Sequence, residues 1–167
     1  MLPQQRLSRL LEESSDPLNP DPETLRDVVR RTEVIAVVGL SRDPMKAARR
    51  IPSYLATKGA RVIPVNPFAD RILGKEARDS LDDVDEEVDM VLLFRPSDEA
   101  GRHVRAAAAR PERPAIWLQE GIRADDEVEA AREAGLDVVQ DLCIYKVHRA
   151  LGDTLRRAEA RGYPLRA

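Results

Sequence analysis

The chain has 167 residues, the length of one ordinary domain with a short appendage, and sets 27 lysines and arginines against 30 acids for a formal charge of −3. That balance lacks the basic excess with which nucleic-acid binders displace counterions, and the longest apolar runs, Met90 to Phe94 and Val34 to Leu40, fall far short of the roughly 18–20 residues that cross a bilayer. No nucleic-acid or membrane partner is expected; with no secretory pattern at the start, one cysteine (Cys143) and two histidines (His103, His148), the chain reads as cytoplasmic, without disulfide or metal.

Residues 1–21 read as an N-terminal extension: Leu7, Leu10 and Leu11 recur at helical spacing, and three prolines between Ser14 and Pro22 make an irregular connector. Asp21-Pro22-Glu23 then supplies a cap, a proline at the first helical position and an acid in the first turn, which predicts a helix to about Arg31. From Thr32 onward short apolar runs alternate with helical patterns, and residues 22–167 read as a single domain. Five strands are predicted over Val34 to Val38, Arg61 to Val65, Val88 to Phe94, Ala115 to Leu118 and Leu136 to Val139. Most are continuously apolar, as strands covered on both faces are. Helical patterns fill Met45 to Lys58, with Pro52 expected to kink it, a short piece around Glu76 to Asp82, Ser97 to Ala109 with Ser97 as cap, Ala124 to Ala134 closed by Gly135, and a last helix from Ile144 to Arg161. Such alternation predicts an α/β fold: a doubly wound five-stranded parallel sheet in the order 3-2-1-4-5 with helices on both faces.

Ligands of open parallel sheets sit beyond the carboxyl ends of the strands. After the first strand comes Gly39-Leu40-Ser41-Arg42-Asp43-Pro44, where a glycine, the following helix start and the cations Arg42, Lys46, Arg49 and Arg50 together favour an anion such as phosphate. A plain tight turn beside a solvated basic face is the competing reading. The dinucleotide fingerprint G-x-G-x-x-G is absent, and the acid that would grip a ribose after the second strand is the neutral Asn66. NAD is therefore disfavoured and a phosphorylated adenosine favoured.

Val38-Gly39-Leu40-Ser41, Arg50-Ile51-Pro52-Ser53-Tyr54-Leu55, Ile63-Pro64-Val65-Asn66-Pro67, Phe94-Arg95-Pro96, Trp117-Leu118-Gln119-Glu120-Gly121-Ile122, Ala134-Gly135-Leu136 and Asp141-Leu142-Cys143 follow one another in this order. From about Thr32 to Leu151 the chain thereby resembles the small stand-alone CoA-binding proteins, similar to the N-terminal CoA-binding domain of the succinyl-CoA synthetase α subunit. The resemblance implies a Rossmann-like domain that holds coenzyme A or an acyl-CoA without catalysis. It would bring Gly39, Ser41, Arg42 and Lys46 to the phosphates, Asn66 and Pro67 to the adenosine end, Phe94, Arg95 and Pro96 to one side of the cleft, and Gln119 to Gly121 to the pantetheine arm. The stretch Ala48-Arg49 departs from the serine or tyrosine of many relatives.

Beside that resemblance, Arg95 either clamps a phosphate or pairs with an acid such as Asp98. Trp117 reads as core, His103 as a surface helical residue, and neither histidine has a visible partner. Cys143 reads first as a small buried residue and second as a group that meets the CoA thiol. Two other functions compete with simple binding: an NADP-dependent oxidoreductase, and an interaction subunit of a CoA-using enzyme with an unidentified protein partner.

Overall fold

The short apolar runs assemble into one parallel sheet in the computed structural model, which describes residues 1–152. In chain order the strands are β1 (Val34–Val38), β2 (Arg61–Val65), the two-residue pair β3 (Arg71–Ile72) and β4 (Lys75–Glu76), then β5 (Met90–Leu93), β6 (Ala115–Leu118) and β7 (Val138–Val139). The helices are α1 (Pro3–Glu13), α2 (Pro22–Arg30), α3 (Ala47–Thr57), α4 (Ser97–Ala108), α5 (Asp125–Glu133) and α6 (Ile144–Ala150). The expected last helix beyond residue 152 lies outside the described residues.

Each central strand is buried along its whole length because successive side chains enter two separate cores. Ile35 and Val37 of β1 join Leu7, Leu25, Val28, Ile51, Leu55 and Val147 from α1, α2, α3 and α6. Val34, Ala36 and Val38 join Ala100, Val104, Val128 and Ala131 from α4 and α5 on the other face. Trp117 is fully buried and its Nε1–H donates to the Leu142 carbonyl at 2.8 Å, so it is core, as its place in an apolar strand predicts.

The α/β doubly wound class is as the sequence predicts, but the strand order is not. The five strands run β2-β1-β5-β6-β7, so the third long strand lies beside β1 on the side away from β2, in place of the expected outer position beyond β2. Two features impose this. The outer flank of β2 is taken by Arg78, which bridges Val65, donates its amide to the Pro64 carbonyl at 2.9 Å and accepts from Asn66 N–H at 2.8 Å. At the start of β5, the Asp89 carboxylate accepts the amides of Glu33 and Val34 at 2.9 and 2.8 Å, which registers that strand against β1. Pro64 also has no N–H for a second neighbour, which suits an edge strand and not a central one.

Other local differences have similarly concrete causes. The segment expected to be helical around Glu76 to Asp82 instead leaves a β3–β4 hairpin, turned by the positive-φ residues Leu73 and Gly74, runs past β2 through the Arg78 bridge and ends in a 3₁₀ turn over Leu81–Asp83. Ser97 does not cap α4; Pro96 occupies that position, and the Ser97 hydroxyl accepts Arg123 N–H at 3.1 Å. α3 continues through Pro52 without a break. The expected caps of α2 and α5 are present: Asp21 accepts Thr24 N–H at 2.8 Å, and Leu136 N–H reaches back to the Ala131 carbonyl at 3.1 Å past Gly135.

The first 21 residues are packed into this body. Leu7 is buried in the core, and α1 lies against α2 and α6. α3 and α6 in turn meet through Tyr54, whose hydroxyl is hydrogen-bonded to His148 Nδ1 at 2.9 Å, so His148 has a partner that the sequence did not reveal. Burial, and then the nearby Lys58 ammonium, hold the His148 imidazole down to about 4. Its folded value lies below the unfolded one, so its contribution is complete above about pH 6.5 and is lost as pH falls toward 4. Urea unfolding at pH 7 and pH 5 should therefore show the parent losing on the order of 1–2 kcal/mol more than His148→Leu over that interval. Parallel losses in the two proteins would remove His148 as the titrating group.

Candidate functional site

With β2 on one side of β1 and β5 on the other, the chain reverses its winding direction between β1 and β5, which places the switch point between the loops after those two strands. Gly39 stands at the centre of it, with a φ of +87°. A Cβ there would lie 2.8 Å from Arg95 Cδ and 3.3 Å from the Phe94 carbonyl carbon, so glycine is required by the facing loop as well as by its own backbone. The sequence suggested close approach to a ligand; the observed close approach is between the two loops that flank the cleft.

From Gly39 the chain makes a tightly bonded turn into α3. Ser41 Oγ accepts Asp43 N–H at 3.0 Å, and Asp43 Oδ1 accepts Met45 N–H at 2.9 Å. Ser41 N–H donates to the Ala48 carbonyl at 3.1 Å. That carbonyl is free because its helical partner four residues on is Pro52, which has no N–H. The proline thus provides the acceptor that fastens the Gly39 turn to the first turn of α3. The Ser41 hydroxyl, accepting from the backbone, retains its own proton for donation. Arg42, Lys46 and Arg50 are exposed, Arg49 is half-buried, and none of the four is in an ion pair among the described residues. Lys46 occupies the N-cap of α3 with no side-chain cap, and no acid lies in the first turn. The result is a backbone turn and a helix start surrounded by four cations against a single acid, Asp43.

The remaining expected residues occupy the same edge, with more of their polar capacity committed than the sequence indicated. Asn66 Nδ2 donates to the Leu40 carbonyl at 3.0 Å and its Oδ1 accepts Phe68 N–H at 2.8 Å, tying the loop after β2 to the loop after β1. Pro67 and Phe68 are exposed beside it. Arg95 Nε and Nη2 donate to Glu99 Oε2 at 2.9 and 2.7 Å, so its acid is Glu99, four residues on, and not Asp98. The hydrogen bond from that guanidinium holds the Glu99 carboxyl below the usual range against the opposing effect of desolvation, with the charges of Arg95 and Arg102 adding to it. Phe94 is half-buried and Pro96 exposed at the mouth.

Gln119 is only 6% exposed, immediately past β6. Its Oε1 accepts Ile144 N–H at 3.1 Å, which orients the amide and leaves Nε2 without a partner among the described residues. Gly121 has a φ of +85°, and its N–H donates to Asp141 Oδ1 at 2.6 Å. Asp141, itself at a φ of 53°, is pushed up by burial but more strongly held down by hydrogen bonds from Ser15 and Gly121 and by Arg123. Asp141 belongs to a motif that carries the resemblance but has no role assigned there, and Ser15 carries no sequence signal of a site. Cys143 is buried at the start of α6. His103 is half-buried in α4, with its Nε2 enclosed and unpartnered among the described residues, and burial lowers its basicity.

No group of three or more histidine, cysteine or acidic side chains that could hold a metal is present among the described residues, and no described helix is long and apolar enough to cross a membrane. A broad open groove lies elsewhere, between the β3–β4 hairpin and the 3₁₀ turn; it is lined by Arg71, Arg78, Asp79 and Glu86 and includes none of the expected site residues. Arg78 and Glu86 are already paired there at 2.8 Å.

An uncharacterized protein of Bacillus subtilis (strain 168), YneT, is 32% identical over 130 residues, covering 78% of this chain and 96% of its own length. A solved protein from Thermus thermophilus is 39% identical with a TM-score of 0.72, covering 77% of this chain and 97% of its own. A dinucleotide-forming acetyl-coenzyme A synthetase of Ca. Korarchaeum cryptofilum, solved with phosphate and ADP, is 25% identical with a TM-score of 0.56; 65% of this chain superimposes on 26% of that protein. Residues 33–149 match the CoA binding domain model, which spans the whole sheet and both loops of the switch point, and the chain therefore belongs to the CoA binding domain family.

Proposed function

We propose that the protein binds coenzyme A or an acyl-CoA across the carboxyl edge of its sheet and does no chemistry on it. The observation that carries this reading is the Gly39 turn: a glycine-dependent backbone loop entering α3, with four unpaired cations around it, in a chain of net charge −3. The phosphates would be met by the backbone from Gly39 to Ser41, the Ser41 hydroxyl, Arg42 and Lys46. The adenosine would lie against Asn66 and Pro67; because Asn66 already bridges two loops, its part is to set their spacing and offer its one remaining N–H. Phe94, Arg95 and Pro96 would form one wall, and Gln119 Nε2 and Gly121 would border the pantetheine arm.

Absence of catalysis is supported by what the reactive groups are doing. His148 is hydrogen-bonded to Tyr54, the enclosed His103 Nε2 lies in α4, and Cys143 is buried, so among the described residues neither histidine nor the cysteine forms a nucleophile–base pair on the ligand edge. A free buried cysteine is also consistent with a reducing compartment such as the cytoplasm.

Thermal unfolding is the direct test. CoA at one hundred times its dissociation constant adds about 2.7 kcal/mol and should raise Tm by roughly 5–10 °C, whereas NAD should leave it unchanged. Stabilisation by NADP and not by CoA would transfer the protein to the oxidoreductase class. Calorimetry on variants should then give an order: Gly39→Val loses CoA binding altogether, while Arg42→Ala with Lys46→Ala weakens it by about tenfold at low salt and by less as salt rises. Unaltered binding by a folded Gly39→Val protein would show that this loop is only a turn.

A further inference from the structure

Residues 1–32 precede the segment that matches the family, and the relatives described above are nearly complete at about four-fifths of this chain's length. Yet the connector between α1 and α2 is bonded directly into the carboxyl edge of the family's sheet. Ser15 N–H and Oγ–H donate to Asp141 Oδ2 at 2.8 and 2.6 Å, and the other oxygen of that carboxylate holds Gly121 N–H. Arg123 Nη1 donates to Ser15 Oγ at 2.8 Å. Behind this contact Asp16 is 3% exposed, pairs with Arg132 at 3.0 Å and accepts from Gln140 Nε2 at 3.0 Å. Asn19 exchanges two hydrogen bonds with the Gln140 backbone, both 2.9 Å. A buried carboxylate satisfied on each side is a built contact and not a chance resting place for a terminus.

The location gives the contact a consequence. In the sheet order, β2 and β1 carry the loops assigned above to adenosine and phosphates, and β6 lies about 10 Å from β1, two strand spacings farther on. An extended ligand that starts at Asn66 and passes Gly39 is therefore directed at Gln119 and Gly121 with its thiol end, and anything attached to the sulfur continues toward β7. That ground is occupied by residues 14–19.

We propose that this connector walls off the β7 end of the ligand edge, so that the site takes CoA with a free thiol or a short acyl group and discriminates against longer acyl chains. The inference rests on the CoA reading. Backbone fixed by the Ser15–Asp141–Gly121 contacts yields only by breaking several hydrogen bonds at once, so a chain directed into it meets the cost of overpacking.

Calorimetry on the full chain with CoA, acetyl-CoA and octanoyl-CoA tests this. CoA and acetyl-CoA should bind alike, and octanoyl-CoA about tenfold more weakly, although its alkyl chain would strengthen attachment to any open apolar surface. The penalty should shrink at least about threefold in Ser15→Ala with Arg123→Ala, with CoA affinity unchanged, because the connector then keeps only the backbone N–H bond of residue 15 to Asp141 and loses its side-chain contacts to the loop. Octanoyl-CoA binding as tightly as CoA to the parent overturns the inference while leaving the CoA reading intact, and needs no variant. A full penalty in the double variant, with hydrogen exchange confirming that residues 14–19 have loosened, also overturns it. Failure of all three ligands to bind overturns both readings.

Discussion

The Gly39 turn depends on a hydrogen bond that exists because another is impossible. Pro52 has no N–H, so the Ala48 carbonyl, which an ordinary helix would use, is left for Ser41 N–H. A helix-interior proline is costly on its own account, and here its freed acceptor is satisfied by a loop and not by water. The same contact fixes where the turn lies relative to the first amides of α3 and relative to Lys46, Arg49 and Arg50. The phosphate-binding character assigned to this loop is thus a property of the proline several residues downstream as much as of the glycine within it.

Around that turn the sheet order is decided by polar contacts at its margins and not by the apolar runs. The strands are nearly interchangeable as hydrophobic segments; what distinguishes their neighbours is Asp89 receiving the first amides of β1 and Arg78 covering β2. Moving the third long strand from outside β2 to beside β1 moves the switch point, and it brings Phe94 and Arg95 against Gly39. In the order 3-2-1-4-5 the loop after the third strand would lie at the sheet's far edge, remote from the glycine. The topology, more than any side chain, makes Arg95 a neighbour of the cleft.

This explains what was legible in the sequence. Continuous apolar runs between capped helical patterns identified all five long strands and the two-faced core, because burial on both sides leaves no other composition. Their order was not legible from hydrophobicity, although Pro64 carried a usable signal, since a strand with a missing N–H belongs at an edge. The Arg95–Glu99 pair was within reach through its i,i+4 spacing from loop into helix. The Ser15–Asp141 contact was not, because nothing in the residues between them encodes a contact over 126 positions.

The side chains that sequence patterns bring to the ligand edge are in large part engaged in holding the edge together. Asn66 joins two loops, Gln119 fastens β6 to α6, Arg95 is bound by Glu99, and Gly121 is held by Asp141. What remains free among the described residues is backbone N–H, the Ser41 proton, one Asn66 N–H, the two N–H groups of Gln119 Nε2 and a set of cations without ion pairs. Such an inventory suits the hold on an elongated, anionic ligand: donors and positive charge in a preset arrangement. Rigidity at this edge comes from the same polar residues that border the proposed ligand site, and for that reason a motif read from sequence carries architecture as well as contact.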